Sequence, residues 1–221
     1  MDQERRDTSF HIKDCTLAAL ATGVHASTLI EFREKLAEAD TACLFYHFWS
    51  GRLRPQFTHP EYPNDFAAWA HRQLHDLPLA EKLGVIDPII YRDWEDVRKD
   101  ILDIIDESLD EKDVILSLKK ENQFHFIKSK ILIFDTEQRI AKPEDLPAAL
   151  PSFTLSSIFY HFIDAKRRAK DHIDDFSYWL KSFENHERLT KEIQQIDPYF
   201  ISLSELRDKL TKITASFLTK A

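Results

Sequence analysis

The sequence contains few glycines and cysteines for its length. Of its 221 residues, three are glycine and two are cysteine. The glycine-rich loops that hold phosphates in nucleotide-binding proteins are therefore missing, and so is the G-x-S-x-G turn of many hydrolases. Two cysteines without a C-x-x-C motif argue against a disulfide framework and against a cysteine-based zinc site. Several large classes of enzyme are thus excluded.

Long hydrophobic runs are also missing. No apolar run approaches the roughly 18 residues of a membrane-spanning helix, and the charged segment Met1–Asp7 leads into no apolar core of a signal peptide. We therefore expect a soluble, cytoplasmic protein with reduced cysteines and no membrane insertion. A net charge of −8 opposes sequence-independent binding of nucleic acid, so we expect no nucleic-acid partner.

The most informative feature that is present is an internal repeat. The motif Phe-Tyr-His-Phe at Phe45–Phe48 returns at Phe159–Phe162, 114 residues later. The motifs that follow return after 110 residues, namely Asp65-Phe66 with Trp69 and Ile86-Asp87-Pro88, then Asp175-Phe176 with Trp179 and Ile196-Asp197-Pro198. A repeat of this length predicts two similar units by internal duplication. We place them at residues 1–113 and 114–221 and expect them to be pseudo-symmetric.

The pattern within each repeat predicts an α+β fold that is predominantly helical. Each unit would have a short strand or hairpin followed by about five helices. The strand signal is clearest at Phe124–Phe134, where aromatic and β-branched residues precede a predicted turn at Asp135-Thr136 and a short return strand at Arg139–Ala141. The first repeat has a shorter candidate strand at Phe10–Lys13. Predicted helices cover residues 28–39, 41–54, 65–74, 94–109, 155–170, 175–183 and 202–218.

Three residue types suggest where these helices begin. Ser27 is a predicted N-cap of the first helix, and Asp65 and Asp175 are predicted N-caps of the Asp-Phe-x-x-Trp helices. In the Ile-Asp-Pro motifs, Asp87 and Asp197 would each cap a short helix whose first residue is proline.

The best candidate for a binding site lies on the aromatic-motif helices. If these segments are helical, His47 and Arg54 lie along one stripe with Gly51 between them, and His161 and Arg168 lie along another with Ala165 between them. Such a notch could bind a carboxylate or phosphate. Alternatively, the carboxylates of Asp65 and Asp175 could fill the notches themselves, since buried polar groups usually satisfy one another.

Charge is distributed unevenly between the repeats. Residues 1–113 carry 13 basic and 23 acidic side chains, whereas residues 114–221 carry 17 basic and 15 acidic ones. Seven acidic residues lie close together in the first repeat: Asp100, Asp103, Asp106, Glu107, Asp110, Glu111 and Asp113. A solvated helix face is the simpler interpretation. The alternative is a surface that binds a basic partner, with Asp100, Asp103, Asp106 and Asp110 as the binding residues.

Other sites have less support in the sequence. His71 and His75 have the i, i+4 spacing of metal ligands, but they lack an H-E-x-x-H motif and have no counterparts in the second repeat. Cys43 corresponds to Ser157, so a conserved nucleophile at that position is not indicated. We therefore predict no metal, no cofactor and no catalytic residue.

The repeated motifs resemble those of an uncharacterised family of bacterial and archaeal proteins, known as a domain of unknown function. Its signature is aromatic-Tyr-His, then an arginine-containing stretch, Asn/Asp-Asp-Phe-x-x-Trp, Leu-Ala-x-x-Leu, Ile-Asp-Pro and Leu-Arg. Both repeats contain most of this signature, although Val97-Arg98 stands in place of Leu-Arg in the first one. The resemblance implies no activity. It draws attention to the two histidines and to the Asp-Phe-x-x-Trp helices.

Three functions remain open at this point. The first is a non-enzymatic binding or regulatory module that contacts a partner protein or a small anionic molecule. The second is an enzyme or enzyme subunit that uses the His/Arg stripes on an anionic substrate, for example a phosphorylated sugar. The third is a structural subunit. A homo-oligomer also stays open.

Overall fold

The computed structural model describes residues 8–53, 61–111 and 122–219. These residues form an α+β fold in which helices predominate, as the sequence predicts. The first part contains β1 (Phe10–Ala26), α1 (Leu29–Glu38), α2 (Thr41–Leu53), α3 (Asp65–Arg72), α4 (Leu77–Gly84) and α5 (Trp94–Asp110). The second contains β2 (Phe124–Ile140), α6 (Leu146–Ala149), α7 (Leu155–Ile158), α8 (Ala165–Arg168), α9 (Asp175–Leu180), α10 (Glu187–Gln194) and α11 (Leu203–Leu218).

The two strands pair with each other in an antiparallel, two-stranded sheet. The hydroxyl of Thr22 donates to the carbonyl of Phe126 at 2.6 Å, and the hydroxyl of Thr136 donates to the carbonyl of Ile12. Each strand is 17 residues long, so the prediction of short strands was wrong.

The predicted hairpin in the second repeat was also wrong, because Asp135-Thr136 lies inside β2. The chain accommodates its turn-forming residues as a local irregularity, in which Glu137 adopts a φ of 62°. The Asp135 carboxylate accepts the Glu137 N–H at 2.7 Å and pairs with Arg139. Side-chain bonding to nearby backbone thus supports the irregular backbone conformation at Glu137.

The chain divides into two compact units, and the division falls within both strands. The central unit comprises Leu17–Ile131, and the terminal unit comprises Met1–Thr16 with Leu132–Ala221. These units do not coincide with the repeats predicted at residues 1–113 and 114–221, because the beginning of each strand belongs with the helices of the other repeat. The repeat boundary itself stays a prediction.

Aromatic side chains at the start of β2 form the core of the central unit. The ring of Phe124 lies 4.9 Å from that of Phe32 and 5.5 Å from that of Phe66. Phe126 lies 5.5 Å from Phe32, and Trp69 stacks on Phe32 at 4.9 Å. Burying a phenylalanine stabilises the fold by about 1.5–3 kcal/mol, so these contacts fix the start of β2 firmly to α1 and α3.

The start of β1 has the same role in the terminal unit. The Phe10 ring stacks on Phe176 at 5.1 Å and lies 5.4 Å from the Trp179 ring, both of which belong to α9. The Trp179 indole N–H then donates to the carbonyl of Thr8 at 2.7 Å. The Asp-Phe-x-x-Trp helix therefore holds a strand that lies more than 150 positions earlier in the chain.

Several helices begin one residue away from the predicted position. The N-caps of α3 and α9 are Asn64 and Asp174, whose side chains accept backbone N–H groups, and not Asp65 and Asp175. The prediction was wrong because two adjacent residues can each cap a helix, and here the following aspartate side chain faces a histidine. Similarly, Thr28 caps α1 in place of Ser27.

The Ile-Asp-Pro motifs form turns and do not begin helices. The carboxylate of Asp87 accepts the N–H of Ile89 at 2.9 Å, and that of Asp197 accepts the N–H of Tyr199 at 2.8 Å. These bonds close Asx turns, which compete with a helical start.

The predicted helix at residues 155–170 ends at Arg168 and contains a π-helical turn. Phe159–Asp164 has the wider π geometry, between α7 and α8. The corresponding helix α2 is α-helical throughout Thr41–Leu53. Among the described residues, no helix is both long and apolar enough to cross a bilayer.

Candidate functional site

The two histidines of the aromatic motifs are buried within the two units. His47 lies on α2, and His161 lies on the π-helical turn; the residues around each are mainly aromatic. In the terminal unit, the His161 ring lies 4.7 Å from the Phe10 ring and 5.8 Å from the Phe176 ring. The strand and the first turn of α9 therefore enclose this imidazole.

Both ring nitrogens of His161 form hydrogen bonds. Nδ1 lies 2.8 Å from Oδ2 of Asp175, and Nε2 accepts the backbone N–H of Lys13 at 2.9 Å. A nitrogen that accepts an N–H carries no proton, so the proton of the neutral ring is on Nδ1 and is donated to Asp175. His161 thus links the start of β1 to the start of α9.

His47 has the same arrangement in the central unit. Its Nδ1 lies 2.9 Å from Oδ2 of Asp65, and its Nε2 accepts the backbone N–H of Ile127 at 3.1 Å. Asp65 and Asp175 therefore lie beside the histidines, as one of the two interpretations of the sequence expected. The strand amides were not foreseen, because a backbone donor leaves no trace in the identity of a residue.

Of the two predicted arginines, one can be placed. Arg54 lies outside the described residues. Arg168 donates from Nη2 to Asp175 at 3.0 Å and from Nε to Asp164 at 2.8 Å, and its guanidinium lies 4.2 Å from the centre of the Tyr160 ring. Two carboxylates of the chain thus occupy the guanidinium that was predicted to bind an anion.

Asp164 is the residue of this cluster that the sequence analysis missed. Its side chain is 1% exposed and binds both Arg167 and Arg168. The sequence did contain a signal for it. Asp164, Arg167 and Arg168 have the i, i+3, i+4 spacing of one helix face, and the aspartate lies in a strongly apolar stretch. Ser50, at the corresponding place on α2, has a buried hydroxyl without a partner among the described residues.

A buried thiol lies close to the same cluster. The Sγ of Cys15 lies 3.3 Å from the carbonyl of Ser156. Burial, followed by the negative charges of Asp14 and Asp164, raises the pKa of Cys15 to about 12. Burial likewise raises the pKa of Cys43. Because a thiolate is the reactive form, neither thiol has the environment of a nucleophile.

The acidic residues of α5 fall into two groups. Asp100 accepts a hydrogen bond from the hydroxyl of Tyr91, and Asp106 forms a two-point ion pair with Arg33, with distances of 2.8 and 2.9 Å. The side chains of Asp103 and Asp110 are exposed to solvent. Asp113 lies outside the described residues. Of the four acidic residues predicted to bind a partner, Asp103 and Asp110 are thus the exposed ones.

The histidines considered as metal ligands do not belong to a group of three or more potential ligands within the described residues. His71 lies 3.3 Å from Glu61, and its ring centre lies 5.4 Å from that of Tyr62 in a tilted arrangement. No cluster of three His, Cys, Asp or Glu side chains suited to a metal occurs in the part of the chain that the structure describes.

With this geometry in place, comparisons with known proteins identify the fold and the family. OrfY from Thermoproteus tenax has a solved structure that is similar to this chain over 94% of each chain, with a TM-score of 0.77 and 22% sequence identity. At that identity the similarity shows the fold alone. No protein of curated function matches the chain. A family profile matches residues 7–215, and the chain accordingly belongs to the family of unknown function DUF5752.

Proposed function

We propose that this protein is a non-enzymatic binding module whose partner is another protein. The His–Asp pairs support this proposal against an enzyme. A general base needs a free lone pair, and the Nε2 lone pairs of His47 and His161 accept strand amides at 3.1 and 2.9 Å. The imidazoles therefore hold strands in place.

The arginine cluster argues against the small-anion alternative in the terminal unit. An incoming phosphate would compete with Asp164 and Asp175 for the Arg168 guanidinium, at distances of 2.8 and 3.0 Å. It would also approach two carboxylates, which repel it. A phosphorylated sugar is therefore a poorer ligand for this site than the sequence suggested.

We also propose that the chain arose by duplication, because corresponding residues make corresponding contacts. The cysteine Cys15 approaches the carbonyl of Ser156, and Ser129 donates to the carbonyl of Ala42. Ser129 lies 114 residues after Cys15, and Ser156 lies 114 residues after Ala42. The hydrogen bonds of both histidines follow the same rule, and those of the two tryptophans correspond as well, with an offset of 110 between the tryptophans and 114 between the carbonyls that they bond.

Because of the duplication, the acidic helix α5 can be compared with α11, and the difference in charge between the two helices is the main support for the proposal. In α5 and α11 the arginines Arg98, which is buried, and Arg207, which is half-buried, both donate to backbone carbonyls, and this aligns the two helices with an offset of 109. Lys212 then stands, exposed, where α5 has the exposed Asp103. The helix can therefore pack with either charge on this face, and the acidity of α5 supports a role in binding a basic protein surface.

A charge-reversal experiment tests the proposal. The tagged protein would be purified from its own host as wild type and as the double variant Asp103→Lys/Asp110→Lys. A control with the same change in net charge is Glu192→Lys/Asp208→Lys, which alters exposed acids on α10 and α11. We expect the wild type and the control to retain one stoichiometric protein partner, identified by mass spectrometry, and the α5 variant to lose it.

Two outcomes would contradict the proposal. One is equal retention of the partner by the α5 variant and the control. The other is a bound small anion without a protein partner, whose binding is abolished by Arg168→Gln; that result would favour the alternative of an enzyme acting on an anionic substrate.

A further inference from the structure

The second half of β1 is an exposed edge strand without charge. From Thr16 to Ala26 it contains no Asp, Glu, Lys or Arg, and most of its residues are exposed, with Leu20 at 47% and Val24 at 42%. Among the described residues β2 is its one strand neighbour. Its second edge therefore has backbone N–H and C=O groups that no strand uses, which in natural proteins is a site of pairing unless it is protected.

The corresponding segment of β2 shows what protection looks like in this fold. Residues 130–140 contain Lys130, Asp135, Glu137 and Arg139. Asp135 and Arg139 form an ion pair at 2.9 Å, so charge lies directly along that strand. Charged side chains and irregularities are common devices that prevent edge-to-edge association. Since β1 lacks such charges between Thr16 and Ala26, its edge is suited to contact with another chain.

The usable part of the β1 edge ends at Gly23. Gly23 adopts a φ of 77°, which lies outside the range of a regular strand, and no heavy atom beyond its chain neighbours lies within 4 Å of the position that a Cβ would take. The N–H of Val24 is taken by the hydroxyl of Thr22 at 3.0 Å. The straight segment is thus Leu17–Thr22, which at about 3.4 Å per residue is roughly 20 Å long.

We propose that this segment pairs with the same segment of a second copy, in an antiparallel manner, to form a homodimer. Antiparallel pairing of a strand with itself is two-fold symmetric and closes after two copies. β1 already pairs antiparallel with β2, its nearest sequence relative in the chain, through the reciprocal bonds of Thr22 and Thr136. The segment also brings no like charges together, although each chain carries a net charge of −8.

The test compares lysine substitutions on the two strands. Leu20→Lys and Ala19→Lys alter exposed positions of β1, and Phe134→Lys and Ile133→Lys alter the exposed positions that lie 114 residues later on β2. Sedimentation equilibrium over a range of concentrations measures the mass, with 26.0 kDa for one copy. Circular dichroism and thermal unfolding show whether each variant is folded; Ala19→Lys replaces Leu20→Lys if the latter is not.

We expect the wild type to dimerise and the β1 variants to raise the dissociation constant roughly ten-fold or more, because each variant places a charged lysine on the pairing edge of both copies. The β2 variants should dimerise like the wild type. A wild type that stays monomeric at the highest concentration, a dimer that survives both β1 variants, or equal weakening by the β2 variants would each overturn the proposal. So would assembly beyond a dimer, since it implies pairing of β1 with a different surface.

Discussion

The buried aspartate Asp174 offers a direct test of how this fold handles polar groups, because replacing it with asparagine should stabilise the protein. The side chain is completely buried. Its Oδ1 caps α9 by accepting the N–H of Ser177 at 2.8 Å, but no hydrogen bond of good geometry reaches its Oδ2 within the described residues. Burial raises the pKa of this carboxyl, which shows that the charged form is disfavoured there.

The central unit contains the residue that suits this position. Asn64 caps α3 in the same way, accepting the N–H of Ala67 at 2.9 Å, and its Nδ2 donates to the carbonyl of Leu83 at 3.0 Å. In the terminal unit, Ile193 follows Asp174 by the same 19 residues that separate Leu83 from Asn64. An asparagine at position 174 would therefore bring an N–H donor to the position where the Asn64 side chain donates to a carbonyl in the central unit.

The size of the effect follows from the cost of an unsatisfied buried group. Such a group costs about 1–3 kcal/mol, and more if it is charged, so we expect Asp174→Asn to raise the free energy of unfolding by about this amount at neutral pH. In a protein of this size, 1 kcal/mol shifts the Tm by about 2–4 °C.

The effect should depend on pH in a defined direction. The folded state binds the Asp174 proton more tightly than the unfolded state, whose carboxyl has the ordinary pKa of 3.8. Wild-type stability from this group is therefore complete below pH 3.8 and decreases as the pH rises towards the raised pKa of the folded state. The Asp174→Asn variant has no carboxyl at this position and does not lose stability in this way as the pH rises. The difference between the two proteins should be small in acid and largest at neutral pH.

Urea unfolding, followed by tryptophan fluorescence at acidic and neutral pH, measures this difference. The reciprocal variant Asn64→Asp is the control and should be destabilised at neutral pH, because it removes the donor to Leu83. An Asp174→Asn protein that is less stable than the wild type at neutral pH, or equally shifted at both pH values, would refute the reasoning.

Three further predictions concern the contacts that hold the strands. Replacing His161 with phenylalanine removes two hydrogen bonds and leaves the Lys13 N–H unpaired, so it should cost about 2–4 kcal/mol and speed hydrogen exchange of that amide, measured by mass spectrometry. Trp179→Phe keeps the aromatic packing but removes the donor to Thr8, and it should cost about 0.5–1.5 kcal/mol in urea unfolding. Because the pKa of Cys15 is raised to about 12, its thiol should react with Ellman's reagent at pH 8 only after unfolding, and rapid reaction of the native protein would contradict its burial.

The helices were largely predictable because their signal is local. Apolar residues at i, i+3 and i+4 predict α5 at residues 94–109, and the structure has it at Trp94–Asp110. The beginning of α3 was missed by one residue, because Asn64 and Asp65 are both good caps and nothing local shows which one faces the histidine. The aspartate is the better partner for an imidazole N–H, so Asn64 is left to cap the helix.

The candidate site was predictable in its side chains and not in its backbone. Repetition of His47 and Asp65 as His161 and Asp175 indicated that each pair forms one site. The strand amides that complete each site belong to the backbone, so the residue types in the sequence do not reveal them. They lie 80 and 148 positions away from the histidines. Without them, a buried histidine beside an aspartate resembles a catalytic pair; with them, it is part of the attachment of a strand.

The length of the strands explains why each strand begins in one unit and ends in the other. Fully extended, a strand of 17 residues would reach about 55 Å, whereas a compact unit of about 110 residues has a radius of gyration near 13 Å. α1 starts at Leu29, three residues after β1 ends, so the end of β1 is tied to the helices of its own repeat. Phe10 therefore packs on Phe176 in the terminal unit, while Phe124 packs on Phe66 in the central unit. Both phenylalanines are followed by histidine and meet the same helix motif, so the identity of these residues does not distinguish docking within a repeat from docking on the other one. The length of the strand does distinguish them, but the predicted strand of four residues was too short to show this.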